Sequence, residues 1–281
     1  MNRRLILLFT LKHSIQLLVI TLGLSLSNLV LAQTPTLPTC SGDSQSCFEQ
    51  AVVKFNEYRE NSIQNIIAKT QGYRLPSAPF ALIHPKRTKL SALLIHGLND
   101  SPYYLKDIAQ ILHDKGMNVI TILLPGHGLT VEAMHTVKYE DWINETKWGL
   151  QLARMLGDEV VLGGFSTGGL LATLTAIENP DTRGLILFAS AFEIKGPVGT
   201  GNRMAGLTCL SGKGETESDV AESPIKYRIR SHNSVCQLEK LISHMHSVID
   251  KGGFWSRSST VMKTLAKKVT TYHDVVPLKY P

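Results

Sequence analysis

Short runs of apolar residues alternate along this chain with longer segments in which apolar residues recur at helical spacing. The short runs are apolar on both faces, which is typical of strands buried inside a parallel sheet. The longer segments are typical of helices that pack one face against such a sheet. The pattern predicts strands at residues 90–96, 117–124, 159–165 and 183–191. It predicts helices at residues 48–69, 103–115, 137–156 and 170–177.

The alternation of strands and helices predicts an α/β fold, with a mostly parallel sheet and helices on both faces. Past the fourth strand it gives way to polar loops and then to helical stretches at about 235–249 and 258–268. We therefore predict a helical cap, inserted at about 192–268 in a domain that spans residues 85–281. Residues 33–84 are predicted to form a linker and the N-terminal helix.

Residues 1–32 have the parts of a secretory signal peptide. Arg3 and Arg4 give a positively charged start, and residues 15–30 are mostly apolar. Small and medium side chains follow, so we expect cleavage after Ala32 and export to the periplasm or the medium. About 18 apolar residues can also just span a bilayer, which makes an uncleaved N-terminal membrane anchor the alternative.

Export changes the interpretation of the four cysteines. An even number of cysteines in an oxidising compartment predicts disulfide bonds. Four cysteines allow three pairings, and proximity along the chain favours Cys40–Cys47 and Cys209–Cys236. Neither pair has the close double spacing of a zinc site, so we expect no metal there.

The net charge of the chain is +6 and its isoelectric point is about 9.1. Three of the basic residues belong to the predicted signal peptide, and without them the net charge falls to +3. The remaining arginines and lysines are scattered, which indicates a solvated surface rather than a nucleic-acid interface. We expect no nucleic-acid partner, and no membrane contact outside the signal segment.

The pentapeptide GFSTG at residues 164–168 has the pattern G-x-S-x-G. It follows a predicted strand and opens a predicted helix, as a nucleophile elbow requires. The turn is tight, and a Cβ atom at either glycine is expected to collide with neighbouring backbone. Ser166 is therefore the candidate nucleophile, and a purely structural Gly-Ser turn is the alternative.

Acyl transfer also needs two N–H donors aimed at the oxyanion of its tetrahedral intermediate. The backbone N–H of Thr167, directly after the candidate nucleophile, is one candidate donor. The backbone N–H of Leu98, in the loop after the first strand of the body, is the other. We expect His96 to stabilise this loop rather than to act in catalysis.

These motifs resemble the monoacylglycerol-lipase and carboxylesterase-like branch of the α/β-hydrolases, which is often labelled serine aminopeptidase S33. The resemblance covers roughly residues 85–195. Its marks are His96-Gly97, Ser101 with Tyr104, Gly116 with Val119, Gly126-His127-Gly128, the YEDW segment at 139–142 and the GGFSTGG segment at 163–169.

The resemblance implies the α/β-hydrolase fold and a serine hydrolase that cleaves carboxylic esters through an acyl-enzyme on Ser166. It implies a small-molecule or lipid-like ester as the substrate. It implies neither a cofactor nor a metal ion.

In this family the chain order is nucleophile, acid, histidine. Asp274 resembles the acid, but no histidine follows it. His273 is not expected to pair with Asp274, because adjacent side chains of an extended backbone point to opposite faces. His232, His244 and His246 lie in the predicted cap. The alternative to an active ester hydrolase is therefore a catalytically impaired hydrolase-like protein that lacks the family's last strand and helix. Such a protein is a binding module or a truncated gene product.

Overall fold

The computed structural model describes residues 39–40, 44–193, 209, 213–218, 221–251 and 269–271. The strands are β1 (Ala81–Leu82), β2 (Thr88–Ile95), β3 (Asn118–Ile122), β4 (Gly157–Phe165), β5 (Gly184–Phe188), β6 (Glu215–Glu217), β7 (Ile229–Ser231) and β8 (Val269–Thr271). The helices are α1 (Ser44–Thr70), α2 (Lys106–Asp114), α3 (Tyr139–Leu156), α4 (Thr167–Glu178) and α5 (His232–Lys251).

Six of the described strands form one sheet in the order β1-β3-β2-β4-β5-β8. The strands run parallel except for β1, which pairs antiparallel with β3. The predicted, mostly parallel sheet is thus confirmed. The carboxyl ends of parallel strands share one edge of a sheet, and in open α/β sheets that edge carries the ligand site.

Helices cover both faces of this sheet, as the sequence predicts. Side chains alternate between the faces along β2. Leu93 and Ile95 point into a core that contains residues of α1, α3, α4 and α5. Ala92 and Leu94 point into a second core with residues of α2. All four β2 side chains are fully buried, which explains why the strand is apolar on both faces.

The predicted helix before the body of the domain is confirmed as α1, which is slightly longer than its pattern. It buries Phe48, Ala51 and Phe55 in the larger core. The helix predicted at residues 103–115 begins as a 3-10 turn, Pro102–Leu105, and continues as α2.

The strand predicted at residues 183–191 is shorter than expected, because β5 ends at Phe188. Ala189 then adopts a positive φ of 43°, which turns the chain out of the sheet. The N–H of Ala191 reaches the carbonyl of Ser166 at 3.0 Å. The apolar residues that extend the sequence pattern beyond Phe188 therefore pack beside the elbow instead of lengthening the strand.

The segment after β5 contains elements that the sequence pattern did not predict. β6 and β7 form a two-stranded antiparallel sheet of their own. α5 matches the helical stretch predicted at about 235–249, whereas the stretch predicted at 258–268 lies outside the described residues. β8 pairs in parallel with β5, so a short strand does precede Asp274.

Both predicted disulfide bonds are confirmed. The Cα atoms of Cys40 and Cys47 lie 5.5 Å apart, and those of Cys209 and Cys236 lie 5.1 Å apart. The second bond ties α5 to a residue 27 positions earlier in the chain. In the described part of the chain, the helices are too short or too polar to cross a membrane.

Candidate active site

Ser166 occupies the sharp turn between β4 and α4. Its φ of 52° and ψ of −114° lie outside the regions that residues with a side chain ordinarily adopt. Its N–H donates to the carbonyl of Phe188 at 2.9 Å. Its carbonyl accepts from the N–H groups of Leu170 at 3.2 Å and Ala191 at 3.0 Å. This is the strained strand–turn–helix geometry that presents a serine hydroxyl at the edge of a sheet.

Close backbone contacts require glycine on both sides of Ser166. A Cβ atom on Gly164 would lie 2.5 Å from the backbone nitrogen of Gly169. One on Gly168 would lie 2.6 Å from the carbonyl oxygen of His96. Real Cβ atoms essentially never come that close to backbone atoms. The steric reason predicted for the flanking glycines is confirmed, because only glycine lets α4 begin this close to β2 and β4.

The loop after β2 lies directly beside Ser166. A Cβ atom on Gly97 would lie 3.3 Å from the Cβ of Ser166 and 3.0 Å from the ring of Phe165. The backbone N–H groups of Leu98 and Thr167 form no hydrogen bond with another described residue. The fold thus brings the candidate nucleophile together with the segments that carry both candidate donors.

His96 stabilises this loop, as the sequence analysis expects. Its Nε2 accepts from the backbone N–H of Leu124 at 3.0 Å, so the proton of the neutral ring is on Nδ1. Nδ1 then donates to the carbonyl of Gly97 at 2.8 Å. Burial, together with the nearby His127, lowers the pKa of His96 well below its ordinary value and keeps the ring neutral. Both ring nitrogens are therefore engaged in holding the loop.

His127, from the Gly-His-Gly loop, holds the next residue of the same loop. Its Nε2 accepts from the backbone N–H of Asn99 at 3.1 Å, and its Nδ1 donates to the carbonyl of Leu124 at 3.1 Å. Burial lowers its pKa to about 4. Asn99 has a positive φ of 56° and directly follows Leu98. The two buried histidines therefore fix the backbone on both sides of the Leu98 N–H.

Tyr227, which no sequence motif indicated, also contacts both loops. Its N–H donates to the carbonyl of Asn99 at 3.3 Å. Its hydroxyl accepts from the N–H of Leu129 at 2.8 Å and donates to the carbonyl of Leu129 at 2.7 Å. No local pattern could have indicated this role, because Leu129 lies 98 positions earlier in the chain.

The predicted acid, Asp274, lies outside the described residues. Of the histidines in the predicted cap, His232 forms a hydrogen bond with Thr216 at 2.7 Å, and the ring of His244 lies 5.6 Å from that of Tyr139. Within the described residues, no histidine forms a hydrogen bond with the side chain of Ser166. The described part of the site therefore contains the candidate nucleophile on its turn, with no described histidine bonded to its side chain.

A mostly parallel sheet with a glycine-flanked serine on a strand–turn–helix elbow defines an α/β-hydrolase. The chain belongs to the family described as serine aminopeptidase, S33, whose family model matches residues 86–234. Within that family it falls in the monoacylglycerol-lipase-like branch.

One relative is the thermostable monoacylglycerol lipase of Bacillus sp. (strain H-257). The two chains are 25% identical over 166 residues, which is 58% of this chain and 65% of that protein. The chain thus spans about two thirds of the length of this curated relative. A solved structure from a study of the metagenome-derived lipolytic enzymes LipS and LipT matches with a TM-score of 0.54 and 17% identity, over 62% of this chain and 71% of that one. It shows a similar fold.

Proposed function

We propose that this protein hydrolyses carboxylic esters, with Ser166 as the nucleophile and the N–H groups of Leu98 and Thr167 as the oxyanion hole. The conformation of Ser166 carries the proposal. A serine with a positive φ stands at the start of α4, next to the loop of Leu98, whose N–H has no partner among the described residues. Strain of this kind in a residue other than glycine persists where the fold enforces it, and it is typical of catalytic sites.

In the proposed reaction the Ser166 oxygen attacks the acyl carbonyl and passes its proton to a general base. The negative charge that develops on the carbonyl oxygen is stabilised by the N–H groups of Leu98 and Thr167 and by the N-terminus of α4. The C–O bond to the alcohol then breaks, and the base returns the proton to that alcohol. Water hydrolyses the acyl-enzyme and restores the serine.

We assign the acid that orients the base to Asp274. The support is topological: β8 lies next to β5 and runs parallel to it, so its carboxyl end is at the same edge of the sheet as Ser166. Asp274 follows the last residue of that strand by three positions. His96 and His127 are not candidates for the base, because the backbone groups that they contact occupy their ring nitrogens.

A small-molecule or lipid-like ester fits the apolar surroundings of the elbow. Phe165 precedes Ser166 and is 40% exposed, and Phe192, which is 37% exposed, follows the residue that bonds to the Ser166 carbonyl. Exposed aromatic rings on either side of a nucleophile favour an acyl chain over a charged substrate. The monoacylglycerol lipase among the relatives agrees with this proposal.

Export to the periplasm or the medium is part of the proposal. Its support is the pair of disulfide bonds, since disulfides persist in oxidising compartments. The N-terminal segment, residues 1–32, is proposed as the signal peptide that directs this export.

A second candidate function is a hydrolase-like binding module without turnover. The observation that favours it is the absence of any hydrogen bond between Ser166 and a histidine among the described residues. Without its base, a triad enzyme loses several orders of magnitude in rate but keeps some catalysis from its oxyanion hole. The two candidates therefore predict different turnover and similar ligand binding.

The test is to treat the purified chain with a fluorophosphonate probe and with p-nitrophenyl acetate. We expect one phosphonate adduct, on the peptide that contains Ser166, and measurable hydrolysis. Ser166→Ala should remove the adduct and lower hydrolysis by about 10³-fold or more. Ser62→Ala, in α1 and bonded to the carbonyl of Tyr58, serves as the matched serine control and should react like the original chain.

The outcomes separate the two candidates. Labelling that persists unchanged in Ser166→Ala contradicts the assignment of the nucleophile. Binding of an ester analogue without labelling or turnover in the original chain supports the binding module and contradicts the hydrolase. Labelling and turnover that depend on Ser166 contradict the binding module.

A further inference from the structure

Asn99 directly follows Leu98, whose N–H is a candidate oxyanion donor, so the conformation of Asn99 limits where the backbone of Leu98 can lie. Asn99 has a positive φ of 56° and is 7% exposed. This left-handed conformation is unfavourable for most L-residues, and asparagine is one of the few that adopt it when local hydrogen bonds hold it. Two hydrogen bonds do so here: the Asn99 N–H donates to His127, and its carbonyl accepts from the N–H of Tyr227.

These two bonds come from different parts of the chain. His127 belongs to the loop after β3, next to the sheet. Tyr227 belongs to the segment inserted after β5, at the end of a turn that the Ser223–Lys226 bridge closes. The Asn99 N–H is therefore held by the loop after β3, and the Asn99 carbonyl by the segment after β5.

Tyr227 is itself fixed by its side chain. It is 4% exposed, and its hydroxyl both accepts from and donates to the backbone of Leu129. The phenol thus connects this segment to Leu129, directly after the Gly-His-Gly loop, while the backbone N–H of Tyr227 connects it to Asn99. Burial raises the pKa of Tyr227 to about 12, so the hydroxyl keeps its proton, and hence its donor, throughout the ordinary pH range.

Arg74 stacks on the ring of Tyr227. Its guanidinium carbon lies 3.9 Å from the centre of the ring, and the side chain is almost completely buried. The guanidinium forms an ion pair with Glu222 and donates to the carbonyl of Ser223 at 3.2 Å. Glu222 in turn accepts from the N–H of Arg228 at 2.7 Å. The short segment 222–228 is therefore anchored on both sides of Tyr227.

We propose that Tyr227 is a positioning residue, which fixes the Leu98 N–H for the oxyanion through Asn99 and is itself held by Arg74. The inference rests on the proposed function, because it assigns a role in the same site. Tyr227 does not touch the reacting atoms. Its effect is to keep the loop in one conformation, so that the donor needs no reorganisation when charge develops.

Tyr227→Phe tests this inference, because it keeps the ring and its stacking on Arg74 and removes only the hydroxyl. Loss of a whole oxyanion donor costs about 10² to 10³ in kcat, so a loosened donor is expected to cost about tenfold. The value of KM should stay within about twofold, since the donor acts mainly on the charge that develops in the transition state. Arg74→Lys, which keeps the charge but not the planar stack, should change kcat in the same direction.

Tyr103→Phe is the matched control. Tyr103 lies in the 3-10 turn that follows the same loop, but it is 38% exposed. Its variant should leave kcat and KM unchanged. The second readout is hydrogen–deuterium exchange of the peptide that contains the Asn99 amide, which bonds to His127 and not to Tyr227. Tyr227→Phe should accelerate that exchange about tenfold, and Tyr103→Phe should not.

The two readouts distinguish the failure of this inference from the failure of the proposed function. If the original chain neither reacts with the probe nor turns over, the proposed function fails and the exchange measurement alone decides the positioning role. Unchanged exchange at Asn99 in Tyr227→Phe overturns that role whatever the activity. A fall in stability without any change in the kcat of the folded protein also overturns it.

Discussion

Replacing Gly168 with alanine should prevent the chain from reaching its native fold. The new Cβ atom would lie 2.6 Å from the carbonyl oxygen of His96 and closer still to that of Ile95. Both oxygens belong to the backbone at the end of β2, so no side-chain rotation relieves the clash. Since α4 would have to move away from the sheet, we expect a loss of at least about 4 kcal/mol in the free energy of unfolding.

Soluble yield and urea denaturation of Gly168→Ala measure this loss. Gly116→Ala is the matched control. Gly116 has a positive φ of 87°, but a Cβ atom there would meet no atom within 4 Å. Its variant should lose only about 1 kcal/mol, from backbone strain. Equal losses at the two positions would contradict the steric explanation of the elbow.

Replacing Glu145 with glutamine should stabilise the protein by about 3 kcal/mol above pH 8. Glu145 lies in α3, is 8% exposed, and its Oε1 has no hydrogen-bond partner among the described atoms. Burial raises its pKa to about 7, against an ordinary value of 4.5, while the hydroxyl of Tyr58 in α1 lowers it to a smaller degree. Each unit of such a shift corresponds to 1.36 kcal/mol.

The sign follows from the protonation of the folded and unfolded chains. Below pH 4.5 both bind the proton at Glu145, and the carboxyl causes no loss of stability. Between pH 4.5 and 7 the unfolded chain releases this proton and the folded chain keeps it, so stability falls as the pH rises. Above pH 7 the loss is complete. Glutamine carries no charge at any pH and avoids this loss.

Urea denaturation of Glu145→Gln and of the original chain at pH 4.5 and pH 8.5 tests this prediction. The two proteins should be similar at pH 4.5 and differ at pH 8.5. Glu57→Gln is the control, since Glu57 is exposed on α1, next to Tyr58. A stabilisation that is the same at both pH values would contradict a role for the buried charge.

Local patterns were sufficient for the four central strands of the sheet and for the elbow, but not for the edge strands β1 and β8. Strands that are buried on both faces, such as β2, leave a continuous apolar run in the sequence. The elbow can also be predicted from local sequence, because the residues that fix Ser166 are its near neighbours, Gly164 and Gly168. The sequence could therefore identify the candidate nucleophile and the strand and helix that hold it.

Contacts between distant segments could not be predicted in this way. Tyr227 bonds to Leu129 across 98 positions, and the polar strand β6 has no apolar run to identify it. The end of the predicted strand at residues 183–191 was wrong for the same reason. Shortly after the end of β5, the N–H of Ala191 donates to the carbonyl of Ser166, which lies more than twenty positions earlier in the chain. A local sequence pattern cannot indicate a bond between positions so far apart.

Because segment 222–228 is anchored to Arg74 and Asn99, the insertion after β5 cannot be replaced as a whole without affecting the candidate site. In this protein a graft that replaces the whole insertion also removes Tyr227 and the partners of Arg74, and with them half of the support of Asn99. A chimera that retains residues 221–228 keeps that support, so the useful junctions for exchange lie outside this stretch.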